Sequence, residues 1–229
     1  VDNIEELSNT SLPFLKKLRI EIGFLNIPIE RFERMGRNFP VLTSFNLTTD
    51  CSLPIDIYLR NFKQLQHISI NYHYNRNFST VCDDNKDEKF LNLKHLHLEG
   101  FTFGSDDVNL NEYKLNQLIE KMPKINILDL DINLPLNINL LFKLQTKLPK
   151  LRKLNNLLMQ HAGESYQKFN HVSVDNLIEI SNNLEEFSIE LKLRIIDMNV
   201  VLMKELLMKE FKFSMRKFGN FVIINLIKK

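Results

Sequence analysis

Phe90-Leu91-Asn92-Leu93-Lys94-His95-Leu96-His97-Leu98-Glu99 carries the pattern on which the fold turns. A hydrophobe, two free positions, a hydrophobe, one free position and a hydrophobe stand at Leu93, Leu96 and Leu98. The alternation from His95 to Glu99 predicts a short strand with one face in a core and the other in water, since successive strand side chains point to opposite sides. The same signature returns at Leu15-Leu18-Ile20, Leu42-Phe45-Leu47, Leu65-Ile68-Ile70, Ile125-Leu128-Leu130 and Leu184-Phe187-Ile189. A sixth further copy, Leu151-Leu154, puts Asn156 where its third hydrophobe should be. Starts lie 27, 23, 28, 32, 26 and 33 residues apart. A unit repeated at this period cannot bury its apolar face alone and must stack on its neighbours, which predicts a solenoid.

Helical spacing fills the intervals. Ile29, Phe32, Met35 and Phe39 share a face, as do Leu115, Leu118, Ile119 and Met122. Ser173 is placed to cap a helix carrying Leu177, Ile178 and Ser181, and an amphipathic segment from Met203 to Lys217 reads as a last helix. Phe221–Leu226 then reads as a closing strand. Leu12-Pro13, Phe39-Pro40, Met122-Pro123 and Leu148-Pro149 repeat one joint, a hydrophobe and then the proline that stops a helix. Strands at about 4.8 Å and helices at about 10 Å cannot stack straight, so the parallel sheet should curve, strands on the concave side.

The strings LPFLKKLRI, FPVLTSFNL, FLNLKHLHL, MPKINILDL, LPKLRKL and SNNLEEFSI resemble leucine-rich repeats. Within that superfamily they are similar to the ribonuclease-inhibitor-like arrays of F-box proteins. The resemblance implies an α/β leucine-rich repeat solenoid of about 7–8 irregular repeats, with helices and irregular loops on the convex side. One such domain spans 1–229, with an acidic loop insertion at about 73–89 and a closing repeat at about 198–229. The Asn usual nine positions into the motif stands only at Asn133; Gly23, Asp50, His73, Phe101 and Lys192 occupy the equivalent places, so the turns after the strands should be irregular.

Composition narrows the function classes. Hydrophobic residues at 44% supply a core, and charged residues at 25% speak against wholesale disorder. A net charge of +2 gives no ground for a nucleic-acid partner, and no apolar run is long enough to span a bilayer. Cys51 and Cys82 are expected to be free thiols in a reducing compartment, cytoplasmic or nuclear; the sequons at Asn9, Asn46 and Asn77 are the argument for an extracellular one. No GxSxG, HExxH or phosphate-binding glycine loop is present, so no enzyme, cofactor or metal is expected and a small-molecule ligand is not anticipated.

Outward strand positions are then the expected binding surface. They are basic at Lys17 and Arg19, histidine-rich at His67, His95 and His97, and acidic at Asp129, Asp131, Glu185, Glu186 and Glu190. A partner protein should bind His67, Tyr72, His95, His97, Asp129, Asp131 and Glu186. His95 and His97, about 6.6 Å apart along a strand, match no familiar zinc spacing. Leu154-Asn155-Asn156-Leu157-Leu158 fits a helical receptor-docking box but overlaps the expected strand, which assigns it to the core. The resemblance implies a non-catalytic protein-interaction scaffold, the substrate-recognition region of an F-box-type ubiquitin ligase receptor. Two other readings stay open: a structural subunit held permanently in a larger assembly, and an extracellular recognition module.

Overall fold

One turn and one strand recur. In each of the seven signatures the backbone N–H of the first hydrophobe donates to the carbonyl three residues earlier, as in Leu15 to Leu12, Leu93 to Phe90 and Leu151 to Leu148. The four prolines occupy the second position of these turns, where a fixed φ near −65° is favoured. The computed structural model describes residues 2–22, 27–49, 55–77, 89–102, 108–135, 138–160, 171–194, 210–218 and 221–229.

The strands are β1 (Lys17–Ile22), β2 (Ser44–Thr49), β3 (His67–Asn77), β4 (His95–Thr102), β5 (Ile127–Pro135), β6 (Lys153–Gln160), β7 (Glu186–Arg194), β8 (Phe211–Phe218) and β9 (Phe221–Lys228). They form one open sheet in the order β1-β2-β3-β4-β5-β6-β7-β9-β8, parallel from β1 to β7. A ladder ties each strand start to the one before. The carbonyls of Lys16, Thr43, Gln66, Lys94, Asn126 and Arg152 each accept two N–H groups from the next unit. Parallel strands in this order place like motif positions opposite each other, so Phe45 meets Ile68 and Leu98 meets Leu130.

Between them lie α1 (Asp2–Asn9), α2 (Ile29–Asn38), α3 (Ile55–Asn61), α4 (Val108–Lys121), α5 (Ile138–Lys147) and α6 (His171–Asn182). Helix residues Phe32, Met35, Tyr58, Leu118, Leu141 and Ile180 join Ile20, Leu47, Ile70, Leu98, Leu130 and Ile189 in one buried cluster. Among the described residues, the helices therefore cover the apolar sheet face and leave the other face to solvent. The architecture is α/β, mostly parallel, with the layered arrangement a solenoid requires.

The structure departs from expectation in several places, each for a local reason. The run after β7 is not uniformly parallel: β9 pairs antiparallel with β7, and β8 antiparallel with β9. The segment expected to be a last helix is a strand from Phe211 on, because Phe211-Lys212-Phe213-Ser214-Met215-Arg216 alternates at period two; residues 203–209 lie outside the described ones. β3 runs on to Asn77, pairing Arg76 with Phe101, so the expected loop starts later than residue 73 and its remainder, 78–88, lies outside the described residues.

In β6 a register shift after Leu154 brings Leu157, not Asn156, opposite Ile189. The shift sets one extra residue of β6 against β7, as a bulge can. Leu154 is buried and the LNNLL box is strand, not helix. α6 begins at His171, ahead of Ser173, and Ile29 is exposed because it opens α2 instead of facing the core. Cys51 and Cys82 lie outside the described residues.

Candidate interaction face

Motif positions three and five of β1–β7 point to the open face. Register fixes their neighbours: Ser44, His67, His95, Ile127 and Lys153 form one row, and Asn46, Ser69, His97, Asp129 and Asn155 the next. His67 and His95 meet edge to face with ring centroids 5.8 Å apart. His97 Nδ1 lies 3.0 Å from Asp129 Oδ2, and its Nε2 is 3.7 Å from Glu99 Oε2.

These contacts split three like residues electrostatically. The hydrogen bond to Asp129 raises the His97 pKa above 6.5 against the opposing effect of burial, and the negative charges of Asp129 and Glu99 add to the rise. Burial lowers His95, with repulsion from His67, His97 and Lys153 adding to that and Asp129 opposing it. Burial likewise lowers His67, helped by Lys94 and Lys17. His97 thus holds its proton more tightly than His95 does.

The residues expected to bind a partner are thus partly united. His67, His95, His97 and Asp129 form one contiguous cluster. Glu186 stands farther along and is paired with Lys153, while Glu190 lies 4.0 Å from Arg216 of β8. The acidic end of the face is therefore partly neutralised within the chain. The backbones of Tyr72 and Asp131 belong to β3 and β5, and their side chains lie outside the described ones.

The structure adds members that the sequence pattern alone did not single out. Asn71 Oδ1 is buried without a hydrogen bond, beside Thr48 and Glu99 in the register. β9 and β8 carry the open face onward: Ser188 opposes Ile227, and Ile227 opposes Lys212. Lys212 and Arg216 of β8 consequently continue the surface on which the central histidines stand.

Chemically, Ser69 stands opposite His97 in the register and gives Ser, His and Asp on adjacent strands. No hydrogen bond joins Ser69 to His97, whose Nε2 faces Glu99, so the nucleophile–base link of a triad is not formed. Among the described residues, no group of three or more His, Cys, Asp or Glu side chains is placed to hold a metal ion. No helix among them is long and apolar enough to cross a membrane. No protein-family model matches the chain, and no curated protein matches it either.

Proposed function

We propose that the protein is an intracellular, non-catalytic scaffold of leucine-rich repeat type that binds another protein on the open face of its sheet. The observation that carries this reading is the face itself. Among the described residues, strands β1–β7 set mainly polar side chains in rows on the face turned away from the helices, and the central cluster is organised by the His97–Asp129 bond. Binding energy on such surfaces concentrates in a few central, partly desolvated residues, which here are His67, His95, His97 and Asp129. The sequence resemblance supports the finer reading, that the partner is a substrate delivered to a ubiquitin ligase.

Affinity purification with the full chain as bait tests the proposal. Proteins retained by the native bait should be lost when His95 and His97 are both changed to Ala. Retention unchanged by that substitution, with the sheet still folded by circular dichroism, would remove the open face as the interface. Recovery of cullin-type ligase subunits with the native bait would favour the finer reading.

A further inference from the structure

A second surface, beside the open sheet face, runs along the turns that precede the strands. Three adjoining clefts lie there. The first is bounded by Arg37, Pro40, Arg60 and Lys63; the second shares Arg60 and Lys63 with it and adds Lys89, Phe90 and Leu91; the third shares Leu91 and Asn92 with the second. This third cleft, of about 310 Å³, is lined by Gln66, Lys94, Lys124, Asn126 and Lys150 besides that shared turn.

Charge on this rim is one-sided. Among the described residues, seven cationic side chains line the three clefts, against the one carboxylate of Glu33. The whole chain is nearly balanced, with 30 basic and 28 acidic residues, so the excess is a property of the rim and not of composition. Lys94 donates to Gln66 Oε1 at 3.2 Å, an amide and not an anion. Lys94, Lys124 and Lys150 are all exposed.

The rim is also apolar at its turn tips. Phe14, Val41 and Leu91 are 88%, 37% and 50% exposed, and all three occupy the two central positions of a strand-preceding turn. Phe62 and Leu65 floor the second cleft. Exposed hydrophobes set among cations suit a protein segment better than a nucleic-acid backbone, which would leave Leu91 and that floor unmatched.

We propose that this rim is a docking site for an acidic segment of a partner protein that also carries aliphatic side chains, its carboxylates met by Lys94, Lys124 and Lys150 and an apolar residue set against Leu91. Charge complementarity identifies the occupant, and the repeating turn explains the length of the site, since each unit adds one exposed tip. The site adjoins the open sheet face through Lys94, which also acts on His67, but its lining includes none of His67, His95, His97 and Asp129.

Fluorescence anisotropy with the full chain and a labelled twelve-residue peptide of Glu and Leu tests it. The triple change K94E/K124E/K150E should weaken binding by about tenfold or more, with weakened salt dependence. L91S should weaken it several-fold, whereas H95A/H97A should leave it unchanged. The proposal is overturned if the triple variant, folded by circular dichroism, binds as the native chain does, or if a Gln-for-Glu peptide binds equally well. A dT15 oligonucleotide bound more tightly through the same lysines would equally overturn it, assigning the rim to nucleic acid. So would a large gain in peptide affinity on D83N/D84N/D87N/E88Q, which would give the clefts to the chain's own acidic run.

Discussion

His97 of β4 and Asp129 of β5, opposite each other in a parallel register, are joined at 3.0 Å through Nδ1 and Oδ2. Because the folded chain holds the His97 proton more tightly than the unfolded one, this bond's contribution is fully present below the ordinary value of 6.5. It is lost as pH rises through the higher folded value. His67 and His95 behave oppositely: their depressed values favour the fold above 6.5 and cost stability as pH falls below it. NMR titration should therefore find His97 titrating last as pH rises and His67 and His95 first. Asp129→Asn should lower both His97 and His95, since Asp129 raises each. A His97 value unmoved by that change would break the assignment of its cause.

Asp56 of α3 and Lys121 of α4 form a buried ion pair at 2.9 Å, with side chains 0% and 4% exposed, and Arg60 lies 4.0 Å from the same Asp56 oxygen. Removing one buried partner strands the charge of the other. Lys121→Met should cost about 3–5 kcal/mol in chemical denaturation, and the double change D56L/K121M much less. A double variant as unstable as the single one would show that packing, and not charge, is at stake.

Gly36 lies in α2, where alanine ordinarily stabilises a helix by about 1 kcal/mol. Here a Cβ would fall 2.2 Å from the carbonyl oxygen of Asn61, at the end of α3, and a backbone atom cannot swing aside. Gly36→Ala should instead destabilise by about 1–3 kcal/mol, the scale of overpacking. A raised melting temperature would mean that α2 and α3 are less closely apposed.

Leu98 is fully buried at the centre of the core cluster. Leu98→Ala should cost about 2–5 kcal/mol, while the neighbouring Glu99→Ala on the exposed side should cost far less. Comparable losses at both positions would contradict the face assignment of β4.

How much of this was legible in the sequence follows from where the information sits. Period-two alternation around Leu96 and Leu98 is local, so the strands, their parallel order and the buried face could be read directly. α3 escaped because Ile55-Asp56-Ile57-Tyr58-Leu59 is short and hides a buried carboxylate whose partner, Lys121, is 65 residues away. The β6 bulge escaped because a signature read at fixed spacing lands on Asn156. The β8 strand escaped because Lys204, Lys209, Lys212 and Arg216 fit a helical period and outweighed the alternation of Phe211, Phe213 and Met215. His67, His95, His97 and Asp129 stand on the outward strand positions that the alternation indicates, but the pairing of Glu186 with Lys153 depends on the β6–β7 register. The cationic rim was visible only as prolines in a joint; that Val41, Lys124 and Lys150 beside them are turn tips required the hydrogen bonds that close those turns.

The last helix is finished by the last strand. α6 has no basic residue in its final turn, so nothing on the helix itself offsets its carbonyl end. Gln145 Nε2 of α5 donates to the Ile180 carbonyl at 2.7 Å, and Lys228 Nζ of β9 donates to Ser181 O at 2.8 Å and also to the carbonyl of Leu184. Lys228 thereby supplies the missing cation and ties the antiparallel hairpin to the parallel body, where Leu226 and Ile224 are already buried. Lys228→Met keeps the apolar stem and removes the donor, so it should cost about 1.5–3 kcal/mol, the scale of a hydrogen bond to a charged group. The loss should appear first as faster amide exchange in β8 and β9, ahead of β2–β4. Exchange that accelerates equally in β2–β4, or not at all, would show that the hairpin does not depend on this link.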